Sequence, residues 1–187
     1  MRLFVALQPP PPVLAEVEAA VAPLRAAWPD LRWVRSDLWH LTLAFLGEVD
    51  DRAAADLAER LARAAGRHPS QRLSFGGGGA FPRAARATVV WTGVDGDRSG
   101  LAALGDSVAA AARRAGAPPP GERRQPRPHL TLARCRRPAD VRALVSELSE
   151  LRTAPWRAQE IALMRSYLGE TTRHEVIGSW PLRAPGG

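Results

Sequence analysis

A five-residue segment occurs twice in this chain of 187 residues and constrains its fold more than any other feature. His-Leu-Thr-Leu-Ala stands at residues 40–44 and again at residues 129–133. Successive side chains of a strand point to opposite faces, so the histidine and threonine of each copy share one face and the two leucines share the other. Each copy therefore predicts a strand with a polar face and an apolar underside, and the pair predicts two similar lobes.

Residue patterns around the two copies predict a mixture of strands and helices. Short apolar runs bounded by Pro or Gly are typical of strands, and apolar residues every three or four positions are typical of helices. We expect strands at residues 2–7, 41–46, 72–75, 88–94, 130–135, 160–168 and 174–180, and helices at residues 13–28, 52–65, 100–115 and 139–151. Residues 76–79, all glycine, are interpreted as a turn, and residues 116–128 as a loop.

The predicted fold class is α+β. It is bilobal, with two pseudo-two-fold-related lobes of mostly antiparallel sheet, outer helices and a central cleft. The short connection from Gly169 to Arg173 favours antiparallel pairing of the last two strands, because a parallel pair needs a longer crossover. A chain of this length can bury one sizeable core, so residues 1–187 are expected to form a single domain.

The chain carries a formal net charge of +7, and all 26 of its basic residues are arginine. Guanidinium groups bind phosphate through paired hydrogen bonds, so a polyanionic partner is expected, although a biased overall composition explains the arginine count equally well. Cys135 is the single cysteine, which excludes an intramolecular disulfide and favours a reducing compartment. The apolar run at residues 3–7 is too short to span a membrane, and we expect a cytoplasmic protein without a membrane partner.

The two repeated histidines, His40 and His129, suggest acid–base catalysis at phosphorus. If the polar faces of the lobes meet across a groove, one imidazole can remove a proton from an attacking oxygen while the other protonates a leaving oxygen. The ordinary imidazole pKa of ~6.5 allows both protonation states around neutral pH. The hydroxyls of Thr42 and Thr131 can then hold the non-bridging phosphate oxygens as charge builds in the transition state.

All four histidines also admit roles outside catalysis. A single His-x-Thr in a strand is most often a packing or surface pair, but here the polar positions recur in register with the leucines, which favours catalysis. Neither copy has an Asp, Glu, Cys or second His at ligand spacing, so no metal site is expected. His68 and His174 have no counterpart in the other copy and are interpreted as a surface residue and a satisfied structural residue, respectively.

The repeat and the segments around it resemble the two-histidine phosphoesterases. Within that superfamily the chain is similar to the bacterial and archaeal RNA 2′,3′-cyclic phosphodiesterases, formerly named 2′-5′ RNA ligases. The resemblance covers most of the chain. It is carried by Arg-Leu-Phe-Val-Ala-Leu at residues 2–7, Leu-Trp-His-Leu-Thr-Leu-Ala-Phe-Leu-Gly at 38–47, Val-Val-Trp at 89–91 and Pro-His-Leu-Thr-Leu-Ala-Arg at 128–134.

The resemblance implies hydrolysis of a 2′,3′-cyclic phosphate, at an RNA end or in a nucleotide, to a 2′-phosphate without metal or other cofactor, and we expect a monomer. It also assigns His40 to protonate the leaving 3′ oxygen and His129 to activate water, roles that the symmetry of the repeat leaves open. Arg134 matches a position that contacts phosphate, although simple alternation from His129 places it on the leucine face unless the strand bulges. Many relatives carry an aromatic residue where this chain has Pro126.

Two other functions remain open for the same motifs. One is a phosphodiesterase or ligase acting on 2′-5′ linkages or on a small nucleotide. The other is a non-catalytic module that binds RNA ends. Turnover in the presence of a chelator distinguishes the enzyme from the binding module, and the position of the phosphate in the product distinguishes the enzymes.

Overall fold

The computed structural model describes residues 1–120, 127–169 and 171–185, which form nine strands and four helices. In chain order they are β1 (Arg2–Leu7), α1 (Pro11–Ala27), β2 (Arg32–Trp33), β3 (Leu41–Glu48), α2 (Asp51–Ala65), β4 (Gln71–Phe81), β5 (Ala87–Gly96), α3 (Arg98–Arg114), β6 (His129–Ala139), α4 (Arg142–Leu148), β7 (Trp156–Ala158), β8 (Glu160–Tyr167) and β9 (Arg173–Pro181). The predicted α+β class is confirmed.

The strands form two sheets, and every pair of named strands is antiparallel. The first sheet has the order β3-β1-β8-β9, and the second has the order β2-β6-β5-β4-β7. Strand β3 follows the first histidine of the repeat, and strand β6 starts with the second. The halves of the chain are interleaved, because β4 completes the second sheet while β8 and β9 complete the first.

Local sequence explains where the longer helices begin. The side chain of Asp50 accepts a hydrogen bond from the Ala53 amide at 2.7 Å and caps α2, as Asp97 caps α3 through the Gly100 amide at 2.9 Å. Proline occupies the first position of α1, where a missing amide hydrogen costs no helical bond. None of the helices in the described ranges combines the length and the apolar character needed to cross a lipid bilayer.

The apolar underside predicted for the repeated strands is present in both copies. Leu41, Leu43, Leu130 and Leu132 are each at most 4% exposed and belong to one core that includes residues of both sheets and of all four helices. Burial of these leucines fixes which face of each strand is turned away from the core, because a one-residue slip in register would expose all of them.

The turn predicted at residues 76–79 is wrong, because these glycines lie inside strand β4. Their lack of side chains makes room for neighbours from other elements. A Cβ atom on Gly79 would lie 2.3 Å from the Trp91 ring, and one on Gly78 would lie 2.4 Å from the Cβ of Leu148. The glycine run therefore serves close packing across the strand, and the chain reverses only after the Phe81–Pro82 peptide bond.

The region after the second repeat also differs from expectation. Strand β6 continues to Ala139 and α4 begins only at Arg142, so Pro138 ends no strand. The pairing of β6 with β5 is irregular between Arg134 and Ala139, where a residue without an amide hydrogen is tolerated. Strands β2 and β7 were not predicted, because two or three residues carry no periodicity of their own. Residues 121–126 of the predicted loop, including Pro126, lie outside the described residues.

Candidate active site

His40 stands directly before β3 and is held by the backbone of its own segment. Its Nδ1 lies 2.7 Å from the carbonyl oxygen of Leu38. A carbonyl only accepts hydrogen bonds, so Nδ1 carries the hydrogen, and Nε2 is left available to a substrate.

His129, the first residue of β6, repeats this arrangement. Its Nδ1 lies 2.7 Å from the carbonyl oxygen of Arg127, which is again two residues earlier in the chain. The same tautomer follows, with the hydrogen on Nδ1 and the lone pair on Nε2. The two copies therefore share a backbone device that orients the imidazole as well as a sequence.

A β-bulge interrupts each repeated strand at the same position. In the first sheet, Ala6 pairs with Thr42 but the preceding residue, Val5, pairs with Ala44, so Leu43 is the extra residue. In the second sheet, Trp91 pairs with Thr131 and Val90 pairs with Ala133, so Leu132 is the extra residue. Bulges change the face to which the following side chains point.

The bulge decides where Arg134 lies. Without it, alternation from His129 would turn Arg134 towards the core, whereas in the structure this residue is exposed and its charge acts on both repeated histidines. The half-buried Thr42 and Thr131 alternate with the buried leucines and so lie on the same faces as the histidines. The structure thus brings together His40, His129 and Arg134, with one threonine beside each histidine.

Burial dominates the electrostatics of the pair. The pKa of His40 is lowered to about 4, mainly by burial and in smaller part by the charges of His174, His129 and Arg134, against the hydrogen bond to Leu38. Burial also lowers the pKa of His129, opposed by the bond to Arg127, with Arg134 again acting against protonation. The charge of His129 lowers the pKa of His40, so the two imidazoles lie within electrostatic range of each other.

Aromatic rings surround each histidine. The ring centroid of His40 lies 4.6 Å from that of Phe4 and 5.2 Å from that of His174. The centroid of His129 lies 5.0 Å from that of Phe81 and 6.0 Å from that of Trp91. These rings supply the desolvation that lowers both pKa values.

Sequence reasoning missed this aromatic surround. The interpretation of His174 as a satisfied structural histidine is wrong, because it contacts His40 and its buried Nδ1 has no hydrogen-bond partner within the described ranges. Strand alternation could have revealed Phe4, which lies on the face of β1 opposite the buried Leu3 and Val5 and in a separate small cluster. No local signal reveals His174, because its contact depends on the pairing of β8 with β9.

Of two further candidate residues, His68 lies away from the repeated histidines and Arg127 lies beside the second one. His68 is only partly exposed, and its Nε2 contacts the Ser107 hydroxyl at 2.7 Å, away from the repeated strands. The guanidinium of Arg127 lies 5.7 Å from the centroid of the Trp91 ring, beside the second histidine. In the described part of the chain, no group of three or more His, Cys, Asp or Glu side chains is arranged to hold a metal ion.

A family model and individual relatives with known names place the chain in the same family. The model of the 2′-5′ RNA ligase superfamily matches residues 9–170. The chain is 36% identical over 147 residues to a protein of Aeropyrum pernix named RNA 2′,3′-cyclic phosphodiesterase, an alignment that covers 79% of this chain and 81% of the relative. A protein of the same name from Geobacillus stearothermophilus is 30% identical over 178 residues, covering 91% of this chain but 55% of the relative.

Comparison with solved structures agrees. TT0787 of Thermus thermophilus superposes with a TM-score of 0.77 at 27% identity, covering 99% of this chain and 100% of that protein. The apo form of E. coli LigT gives a TM-score of 0.73 at 28% identity, with 97% of each chain covered. Sequence, fold and repeated motifs therefore lead to one conclusion: the chain belongs to the 2′-5′ RNA ligase superfamily.

Proposed function

We propose that this chain hydrolyses ribose 2′,3′-cyclic phosphates, at RNA ends or in nucleotides, to 2′-phosphates, with His40 and His129 as the acid–base pair. The observation that carries the proposal is the matched pair of imidazoles, each with Nδ1 fixed by the carbonyl two residues earlier. The relatives named RNA 2′,3′-cyclic phosphodiesterase support this activity. E. coli LigT, which was also crystallised with 3′-AMP and with phosphate, supports a nucleotide ligand.

In the proposed reaction, neutral His129 takes a proton from water through Nε2 as the water oxygen bonds to phosphorus. The bond from phosphorus to the 3′ oxygen breaks, and protonated His40 donates its proton to that oxygen. The products are a 2′-phosphomonoester and a free 3′ hydroxyl. The hydroxyls of Thr42 and Thr131 and the guanidinium of Arg134 hold the non-bridging oxygens, where negative charge builds in the transition state.

The low pKa of His40 has a consequence for this scheme. In the unliganded protein His40 is neutral at pH 7, because its pKa is lowered to about 4. A phosphate anion in contact with the imidazole favours the charged form and raises its pKa. The catalytic proton on His40 is therefore taken up together with the anionic substrate.

The surroundings of the pair support a reaction without a metal ion. The rings next to the two histidines belong to Phe4, Phe81, Trp91 and His174, and the charged side chain that acts on both histidines is that of Arg134. Phenyl and indole rings provide no metal ligands and a guanidinium repels a cation. In the described residues, His174 and the repeated histidines do not form part of any group of three or more side chains arranged to hold a metal ion. A substrate phosphate, in contrast, is attracted to the same place.

Incubation with adenosine 2′,3′-cyclic phosphate and excess EDTA, followed by 31P NMR, tests the proposal. We expect turnover to the 2′-phosphate in the presence of EDTA, its loss in His40→Ala and in His129→Ala, and its retention in the control His68→Ala. A 3′-phosphate product would contradict the proposed regiochemistry. Saturable binding without turnover would contradict the enzyme and favour the RNA-end binding module, and cleavage of a 2′-5′ dinucleotide alone would favour the alternative substrate.

We also propose that the chain is a single domain and a monomer. The interleaving of β4, β8 and β9 between the sheets supports one domain, because neither half of the chain can complete its own sheet. A single cooperative unfolding transition, measured on a sample whose mass in solution is 20.2 kDa, is the expected result. Two separate transitions, or a larger mass, would contradict these proposals.

A further inference from the structure

We propose that His174 is a third histidine of the site, a positioning residue that holds the His40 ring in place and controls its protonation by charge. The inference rests on the role proposed above for His40. It goes beyond that role, because His174 lies outside the repeat and matches none of the motifs that carry the family resemblance.

The geometry of three rings is the basis of the proposal. His174 lies near the start of β9, where it pairs with Ser166 of β8. Its ring stands edge-on to His40, at a centroid distance of 5.2 Å and an angle of 83°, and edge-on to Phe4, at 5.0 Å and 75°. Phe4 and His40 are in contact at 4.6 Å, so each ring of the three touches the other two. The ring of His174 therefore packs against that of His40 and against the Phe4 ring that His40 also contacts.

The His174 ring lacks a hydrogen bond of good geometry at one buried nitrogen. The buried Nδ1 of His174 has no partner with full hydrogen-bond geometry within residues 1–120, 127–169 and 171–185, and the adjacent backbone of Arg173 favours the protonated ring without meeting that geometry. Buried polar atoms are normally paired, and an unpaired one costs free energy. His68 shows the usual arrangement, with Nε2 at 2.7 Å from the Ser107 hydroxyl. A phenylalanine at position 174 would fill the space without this cost, so the titratable ring is expected to have a use.

The use that we infer for the titratable ring is the effect of its charge on the protonation of His40. When His174 is protonated, its charge opposes protonation of His40, as do the charges of His129 and Arg134. Burial lowers the pKa of His174 itself, while the backbone of Arg173 and the carboxylate of Asp37 act against that shift. A unit charge 5.2 Å away changes a pKa by about 0.6 units at the dielectric constant of water and by about 2 units at an effective value of 20.

An NMR titration of the histidine ring signals tests the proposal. The chain has four histidines, so the signals of His40 and His129 are readily assigned with single variants. In His174→Phe, which keeps the ring area, and in His174→Asn, which keeps a polar group, we expect the His40 midpoint to rise by about 0.6 units or more, with a smaller change at His129. The control His68→Phe should leave both midpoints unchanged.

The outcomes separate this inference from the proposed function. An unchanged His40 midpoint in folded His174→Phe and His174→Asn would overturn the inference, because His174 would then only fill space. The limb of the kcat/KM–pH profile that belongs to His40 should move by the same amount as the NMR midpoint. Absence of turnover in the unmodified chain would overturn the proposed function alone, since the titration is measured without substrate.

Discussion

The two copies of the repeated segment have the same backbone and different surroundings. Both histidines are fixed through Nδ1 by the carbonyl two residues earlier, and both strands bulge at the second leucine of the copy. His40 packs against Phe4 and a third histidine, whereas His129 packs against Phe81 and Trp91, beside Arg127. The repeat thus fixes the orientation of the imidazoles, and the residues outside the repeat set their protonation.

The residue that follows each copy also combines a shared backbone position with a different side chain. Phe45 and Arg134 occupy equivalent positions, and both are exposed because of the bulge before them. One is an aromatic ring in contact with Phe4, and the other is a cation that acts on both histidines. The second copy therefore carries a cation next to its strand where the first copy carries an uncharged ring.

The largest expected effect comes from removing either imidazole. His40→Ala and His129→Ala should each lower kcat by ~10²–10⁴-fold, because a general acid or base contributes that much to proton transfer. Steady-state kinetics on a 2′,3′-cyclic nucleotide measure the loss, with His68→Ala as the matched control. Retention of most activity by one of the two variants would break the equivalence of the copies.

The next largest effect distinguishes the two equivalent positions that follow the copies. Arg134→Ala should lower kcat/KM by ~10²–10³-fold, because in the proposed reaction it removes a charged donor to the transition-state oxygens. Phe45→Ala, at the equivalent position, removes no charge and should change kcat/KM by about tenfold or less. Equal losses in the two variants would show that the cleft is not polarised by charge.

The threonines sharpen the comparison further. Thr42→Val and Thr131→Val keep the shape of the side chain and remove one hydrogen bond to a charged oxygen, worth ~1.5–3 kcal/mol. Each should therefore lower kcat by about 10- to 100-fold, measured with the same substrate. A loss confined to Thr131 would place the phosphate on one strand instead of between two.

A stability measurement tests the packing behind His129. Gly79→Ala places a Cβ atom 2.3 Å from the Trp91 ring and should lower the free energy of unfolding by ~1–3 kcal/mol. Gly169→Ala, where a Cβ atom meets nothing within 4 Å, is the control and should change it by less than ~0.5 kcal/mol. Urea denaturation measures both, and equal stability of the two variants would show that Trp91 moves freely.

The smallest effect concerns the position of the pH optimum. The proposed reaction needs one protonated and one neutral imidazole, so kcat/KM should be bell-shaped. Because the pKa of His40 is lowered to about 4 and that of His129 is also lowered, both limbs of kcat/KM should lie below pH ~6.5, the ordinary imidazole value, and the rate should fall as pH rises above it. The alkaline limb of kcat should lie higher, since bound phosphate raises the pKa of the acid. A kcat/KM optimum above neutral pH would contradict the burial of the pair.

Sequence alternation predicted the buried and exposed faces of the repeated strands, because two leucines per copy must enter the core. It could not predict the bulges, since one extra residue in a strand leaves no signal in hydrophobic spacing, and the side of the sheet on which Arg134 lies depends on a bulge. The prediction at residues 76–79 was wrong for a similar reason. Gly78 and Gly79 leave the space that Leu148 and Trp91 occupy, and these two side chains come from other elements.

A titration of the unmodified chain with a nucleoside 2′-monophosphate, followed through the ring nitrogens by NMR, tests most directly whether both imidazoles serve one phosphorus atom. We expect the Nε2 signals of His40 and His129 to shift together and to saturate with the same dissociation constant at one ligand per chain. If only one of these signals shifts, or if the two saturate at different ligand concentrations, the two histidines do not act on one phosphate.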